Sequence, residues 1–241
     1  MAGARLLALC AWAVHFYTAL GAVAGLLTLE RAAANDFRGA FFVMAAAVFI
    51  DSTDGPLARA LRVRERVPIF DGALLDNVID YTTYVLAPAF LMTRAGMLGE
   101  GRLSVVIASF VMIASAYGFC RVDAKTEDNY FLGFPSYWNL VALYLYCLAL
   151  PTAINELIVI VLGSMVFVPI KYIYPSRTEP MRPLTLALAA IWAVVTVAML
   201  PEIPKPDPLL LYTSLAFIVY YFMMSFALYA HPARVAGRRG T

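Results

Sequence analysis

Histidine, cysteine and charge are all scarce in this chain, and each scarcity removes a class of chemistry. There are two histidines, His15 and His231, in 241 residues, which excludes a histidine-rich metal site. The three cysteines, Cys10, Cys120 and Cys147, are scattered through apolar runs without ligand spacing. They read as packing residues, not as a zinc site or a disulfide framework. Charged residues make up only 14% of the chain. Gly/Ser linkers, low-complexity tracts and internal repeats are also missing, so a single domain over residues 1–241 is expected.

Apolar side chains fill the space. Hydrophobic residues account for 62% of the sequence and the mean hydropathy is +0.77, a balance that no ordinary soluble domain needs. The expected fold is all-α, a polytopic transmembrane helical bundle. The length has room for about eight spans of roughly 20 residues each. They are expected near 6–28, 39–57, 74–94, 103–121, 135–150, 153–170, 184–200 and 209–229. The break around Pro151 also fits a kink within one longer segment. The first apolar run is as long as a span and lacks an Ala-x-Ala-like cleavage site, so it reads as a retained helix.

Basic residues set the orientation. With both termini cytoplasmic, one side collects Arg5, Arg59, Arg62, Arg64, Arg66, Arg121, Lys125, Lys171, Arg177, Arg182, Arg234, Arg238 and Arg239. The other keeps Arg31, Arg38, Arg94, Arg102 and Lys205. That split of 13 to 5 among 18 Lys and Arg residues follows the positive-inside rule. The longest polar connections, 59–71, 121–135 and 172–183, then fall on the cytoplasmic side. The proline-rich segment 201–208 reads as a stiff turn on the opposite side.

Against this background stand five aspartates. They lie in Asp51-Ser-Thr-Asp54-Gly55-Pro-Leu-Ala58-Arg59 and, after twelve residues, in Gly72-Ala-Leu-Leu-Asp76-Asn-Val-Ile-Asp80, with Asp71 just before the glycine. A carboxylate at mid-membrane costs about 2.5–3.5 kcal/mol on insertion scales, so a cluster calls for compensation. Residues three or four apart are helix neighbours. Asp51 and Asp54 therefore share a face at the end of the second span, and Asp76 and Asp80 share one at the start of the third. Bringing the two ends together would place four carboxylates around a common volume. An oxygen-only ligand set favours magnesium, manganese or calcium over zinc or copper. Two such ions can grip a pyrophosphate from both sides. Gly55 and Gly72 remove side chains where a phosphate or nucleotide must approach backbone, and Arg59, one turn past Gly55, can reach the same anion. Asp71 flanks a helix start and reads as an N-cap outside the metal site.

The pattern resembles the signature of the CDP-alcohol phosphatidyltransferase family: Asp-x-x-Asp-Gly-x-x-Ala-Arg, a spacer, then Gly-x-x-x-Asp-x-x-x-Asp. Every defining position is filled, by Asp51, Asp54, Gly55, Ala58, Arg59, Gly72, Asp76 and Asp80. The spacer is longer than in most members. With Phe70-Asp-Gly-Ala-Leu-Leu-Asp-Asn77 it resembles the bacterial phosphatidylcholine synthase branch. Residues 124–139 and 179–185 extend that likeness across nearly the whole chain.

The resemblance implies transfer of a phosphatidyl group from CDP-diacylglycerol to choline with release of CMP. It implies two divalent cations, Mn2+ or Mg2+, on Asp51, Asp54, Asp76 and Asp80, with Asp80 also taking the acceptor's proton. CDP contacts would come from Asp51, Gly55, Arg59 and Gly72, and Lys125 is a further candidate. His15 and Thr18 are open to two readings, a nucleotide pocket or an interhelical hydrogen bond. The resemblance also implies a homodimer in the bacterial inner membrane, with its site facing the cytoplasm. Membrane lipid is an expected partner and nucleic acid is not. Choline, a quaternary ammonium, calls for aromatic faces; Tyr84 and Tyr137 are the candidates, by proximity to the motif. Serine, inositol phosphate and glycerol phosphate remain alternative acceptors. A divalent-cation or amine transporter is a competing class. It is poorly supported, because the middles of the first and of the fourth to eighth expected spans carry no Asp or Glu.

Overall fold

The computed structural model describes residues 2–179 and 181–230. His231, Arg234, Arg238 and Arg239, and with them the expected cytoplasmic C-terminus, lie outside the described residues. The chain divides into two compact units. The first comprises residues 1–108 with 138–143, and the second 109–137 with 144–241.

In the first unit, α1 (Ala2–Ala33) is the helix against which the others pack. It meets α2 (Phe37–Ala60), the short α3 (Val63–Arg66), α4 (Gly72–Asp80), a π-helical turn (Tyr81–Leu86) and α5 (Ala87–Arg94). The α1–α2 connection is tight because Asp36 serves both helices. Its carboxylate accepts from Gly39 N at 2.9 Å, capping α2, and from Arg31 in the last turn of α1 at 2.7 Å. Arg94 reaches back to the carbonyl of Ala33 and to Asn35 Oδ1, both at 3.3 Å. Near the start of α1, Ala11 and Val14 are buried with Val63 and Val67, and Ala58 and Leu61 pack on their edge.

One face of α1 is stripped to glycine where α4 and the π turn cross it. A Cβ on Gly21 would overlap Ile79 Cγ2, and one on Gly25 would stand 2.7 Å from Thr82 Cγ2. Gly21-x-x-x-Gly25 is thus a small-xxx-small contact, which lets helices approach where lipid supplies no hydrophobic drive.

In the second unit, α6 (Arg102–Cys120, from Ser109), α8 (Thr152–Met165), α9 (Arg182–Met199) and α10 (Pro208–Ala230) accompany a small ribbon. A further helix, α7 (Trp138–Leu148), crosses the unit boundary in sequence. The described residues are mostly helical, as expected, with one short two-stranded ribbon added. β1 (Tyr130–Leu132) pairs antiparallel with β2 (Lys171–Ile173), Tyr130 opposite Ile173 and Leu132 opposite Lys171. The two polar connections expected to be loops satisfy their backbone groups in this way. Ser225 of α10 donates from its hydroxyl to Tyr221 O and accepts from Ile173 N at 3.1 Å, tying the ribbon to the helix. Thr178 closes the far end, donating to Asn129 O at 2.6 Å and accepting from Tyr174 N at 2.8 Å. Gly133 follows β1 with φ +86°, and a Cβ there would strike Val166 O. α9 and α10 are joined by Thr185–Tyr220 at 2.7 Å, and Trp192 donates to Tyr144 at 2.8 Å.

Among the described residues five helices are long and apolar enough to cross a membrane: Arg5–Ala33, Phe37–Ala60, Arg102–Cys120, Arg182–Glu202 and Pro208–Tyr229. Leu9, Phe16, Phe49, Ile113, Val194 and Met223 are exposed on them, as an apolar solvent requires. The other three expected spans take different forms. One is the end-to-end run of α4, the π turn and α5 from Gly72 to Arg94. The other two are α7 and α8, of 11 and 14 residues, short of the roughly 20 that a crossing needs. Left-handed Ala149, φ 47°, followed by Pro151 separates them, so the break there is not a kink in one helix.

The glycine stripe gives a direct test. Gly25→Val is expected to destabilise the purified protein by about 1–3 kcal/mol through overpacking. Gly3→Val, with nothing within 4 Å of the added Cβ, should melt like wild type. Equal melting of the two variants in detergent would remove the stripe from the packing account.

Candidate metal centre

Three aspartates meet in the first unit. One carboxylate oxygen from each of Asp51, Asp76 and Asp80 lies within 4.8 Å of the others, and all three residues are half-buried. α4 supplies two of them because residues four apart differ by only about 40° around a helix. Asp71 begins that helix as an N-cap, accepting from Ala73 N and Leu74 N at 3.0 Å each. The structure gives Asp71 the capping role its position suggests.

Asp54 does not join this group. It is 5% exposed and turns toward α1, where the side chain of Thr18 stands beside it with its hydroxyl donating to Val14 O at 3.3 Å. The cause is angular: three residues of helix fall about 60° short of a full turn, so Asp51 and Asp54 splay apart. The expected quartet is therefore a trio with a fourth carboxylate beside it on α2. All-oxygen donors at this spacing suit a hard divalent cation.

The glycines and the arginine follow the same face. Arg59 folds back over Gly55, so a Cβ on Gly55 would meet Arg59 Nη1 at 3.3 Å. The guanidinium is exposed and stands one turn beyond the glycine. Pro56, inside α2, has no N–H for the Ser52 carbonyl, which opens one backbone bond between Asp51 and Arg59. Gly72 has an explanation from within the chain. A Cβ there would stand 2.7 Å from His15 Cε1 and 3.2 Å from its Nδ1. The His15 ring also packs on Phe70 at 4.5 Å and on Trp12 at 5.7 Å between centroids. Its Nε2 is buried without a hydrogen-bond partner. Thr18 meets Asp54 between the helices, and His15 keeps an unsatisfied polar atom.

Tyr84 was a candidate for choline by proximity. Its hydroxyl donates to Asp51 Oδ2 at 2.7 Å, so the ring stands in the first unit beside the carboxylates. Lys125 and Tyr137 belong to the second unit. Lys125 is exposed and bridges Phe131 through its backbone. Tyr137 is half-buried, with its ring 6.4 Å from Phe131 and 6.2 Å from Tyr221. Phe131 stacks on Tyr174 at 4.5 Å. In the same ribbon Lys171 is engaged, 2.6 Å from Asp128 Oδ2 and 5.4 Å from the centre of the Tyr130 ring. Burial pushes the Asp128 carboxyl up, but the hydrogen bonds from Lys171 and Thr126 outweigh it and hold it below the usual carboxylate range.

No family model matches the chain. Curated proteins do. The phosphatidylcholine synthase of Legionella pneumophila is 37% identical over 223 residues, 90% of this chain and 87% of that protein. That of Mesorhizobium japonicum is 39% identical over 182 residues, 76% of this chain and 68% of that protein. That of Pseudomonas aeruginosa is 36% identical over 201 residues, 83% of this chain and 84% of that protein. The chain belongs to the phosphatidylcholine synthase family.

Two features of this family member escaped the sequence reading. The Gly21-x-x-x-Gly25 stripe carried a recognisable signal, small residues four apart in an apolar run. The Tyr84–Asp51 bond had none, because it depends on how α4 continues after Asp80. The packing of Gly72 is testable by stability alone. Gly72→Ala should lower the melting temperature by the equivalent of about 1–3 kcal/mol, and adding His15→Ala should restore most of the loss. A Gly72→Ala protein that melts like wild type would contradict the close approach of the ring.

Proposed function

We propose that this chain transfers the phosphatidyl group of CDP-diacylglycerol to choline, releasing CMP. As a member of its family it is a transferase of phospholipid synthesis. The observation that carries the reading is the convergence of Asp51, Asp76 and Asp80 from two signature segments onto one small volume. The donor is a diphosphate, the kind of ligand for which such a carboxylate set is suited through divalent ions.

Asp51, Asp76 and Asp80, with Asp54 beside them, would hold two divalent cations, Mn2+ or Mg2+. Bound there, the ions would neutralise the diphosphate and the charge that develops as CMP leaves. The rest is the work of the chain's own residues. Arg59, folded over Gly55, offers a planar pair of donors to the same anion. Gly55 and Gly72 are proposed CDP contacts, Gly72 with the His15 ring packed against it, and Lys125 is a further contact for the CDP head. The orphaned Nε2 of His15 is a polar atom for the nucleotide to satisfy. Asp80 takes the hydroxyl proton of choline as its oxygen bonds to the phosphorus bearing diacylglycerol. The bond from that phosphorus to the bridging oxygen breaks, and CMP departs with the electron pair. Reactions of this kind depend on positioning and charge stabilisation more than on covalent help from the protein.

Choline cannot donate a hydrogen bond through its ammonium, so aromatic faces would receive it. Tyr137, in the ring cluster of the second unit, is one candidate and Tyr84 the other. We place the site at the cytoplasmic face of a bacterial inner membrane, where acyl chains stay in lipid and choline arrives from water. A homodimer is the expected assembly.

The test uses purified protein with Mn2+ or Mg2+, CDP-diacylglycerol and labelled choline, serine or inositol. Choline-dependent CMP release that EDTA abolishes is the expected outcome. Label entering lipid from serine or inositol instead would reassign the acceptor, and metal-independent transfer would overturn the mechanism. Asp80→Asn is expected to abolish transfer while CDP-diacylglycerol binding survives at least in part. Near wild-type turnover in that variant would take Asp80 out of the reaction.

A further inference from the structure

The helix that carries Asp76 and Asp80 does not continue as an α-helix. From Tyr81 to Leu86 it winds as a π turn, closed by Ala87 N–H to Thr82 O. The sequence explains why. Pro88 has no N–H, and in an α-helix its ring would collide with the carbonyl four residues earlier, that of Tyr84. Widening the turn ahead of Pro88 avoids that collision. At the entry, Thr82 Oγ1 donates to Val78 O at 3.0 Å and Thr83 Oγ1 to Ile79 O at 3.1 Å. Pro88 thus accounts for the irregularity.

The turn alters where Tyr84 points. In continued α-geometry each step of four residues overshoots a full turn by about 40°, so Tyr84 would stand about 80° past Asp76. A π turn holds more residues per revolution, which cancels the overshoot and returns Tyr84 to the aspartate stripe. Its hydroxyl then donates to Asp51 Oδ2 at 2.7 Å, across to the other helix of the trio. A hydrogen bond to one carboxylate oxygen fixes the rotation of the group and leaves its other oxygen to face a cation.

We infer that Tyr84 is a positioning residue: the π turn before Pro88 aims its hydroxyl at Asp51 and fixes that carboxylate for metal binding. This rests on the proposed function, since it concerns the same divalent site. It also separates two roles for one side chain. A choline contact would use the aromatic ring, whereas positioning Asp51 uses only the hydroxyl.

Tyr84→Phe keeps the ring and removes the hydroxyl. Mn2+ binding to the detergent-purified protein, followed by loss of the free-ion EPR signal, is the primary readout, with melting temperature as the folding check. Groups that orient a metal ligand typically change affinity by 10–100-fold, so Tyr84→Phe should bind Mn2+ about tenfold more weakly or worse. The apparent KM for choline should stay within about twofold. Tyr17→Phe is the control. It deletes a hydroxyl bond of similar length, 2.8 Å to Thr53 Oγ1 and not to a carboxylate, and should leave Mn2+ affinity unchanged. Mn2+ affinity within twofold of wild type in Tyr84→Phe overturns the inference while leaving the metal reading intact. A raised choline KM with unchanged Mn2+ affinity overturns it in favour of a substrate contact. A wild-type protein that takes up no Mn2+ overturns both.

Discussion

Like charges held close together at the edge of an apolar bundle are the constraint from which the rest follows. One carboxylate oxygen from each of Asp51, Asp76 and Asp80 lies within 4.8 Å of the others, and like charges brought so close repel. A divalent cation turns the repulsion into attraction. Under the proposed function, a cation bound there would make the same arrangement a grip for a diphosphate. Neighbouring features border the trio: the capped start of α4, Gly72 under the His15 ring, and Arg59 folded over Gly55.

The scaffold must hold two helix ends in place although lipid gives little reason for helices to associate. α1 does this by carrying different surfaces for different neighbours. Its glycine stripe admits Ile79 and Thr82, its Tyr17 hydroxyl meets Thr53 on α2, and its Thr18 meets Asp54. Near its start, the His15 ring fills the space over Gly72. α2 and α4 both pack on α1, so a carboxylate from each can be brought together. Hydrogen bonds and close backbone approach replace the hydrophobic drive of a soluble core.

Much of this was legible in the sequence, and the limits are instructive. Spacing of four residues was enough to place Asp76 with Asp80, because helix periodicity is local. It could not say that Asp54 would turn to Thr18, since that depends on which helix lies beside it. Proximity in sequence suggested the Tyr84 ring for choline, yet its hydroxyl sits on Asp51. The cause, a π turn forced by Pro88, lies four residues downstream. Hydropathy located eight apolar segments but not their lengths, and α7 and α8 stop short on either side of a left-handed alanine and a proline. The ribbon of β1 and β2 was invisible because its strands are three residues each and lie 41 positions apart by their first residues, 130 and 171. Membership of the phosphatidylcholine synthase family was legible too, in the long spacer with residues 70–77 and in the segments 124–139 and 179–185.

The central claim is that this trio holds a divalent cation. Anomalous diffraction at the manganese edge, from crystals grown with Mn2+, reads that out without reference to activity. The account predicts an anomalous peak within bonding distance of carboxylate oxygens of Asp51, Asp76 and Asp80, lost in the Asp76→Asn protein. A peak elsewhere, or none at this site in protein that still releases CMP on addition of Mn2+, would contradict it.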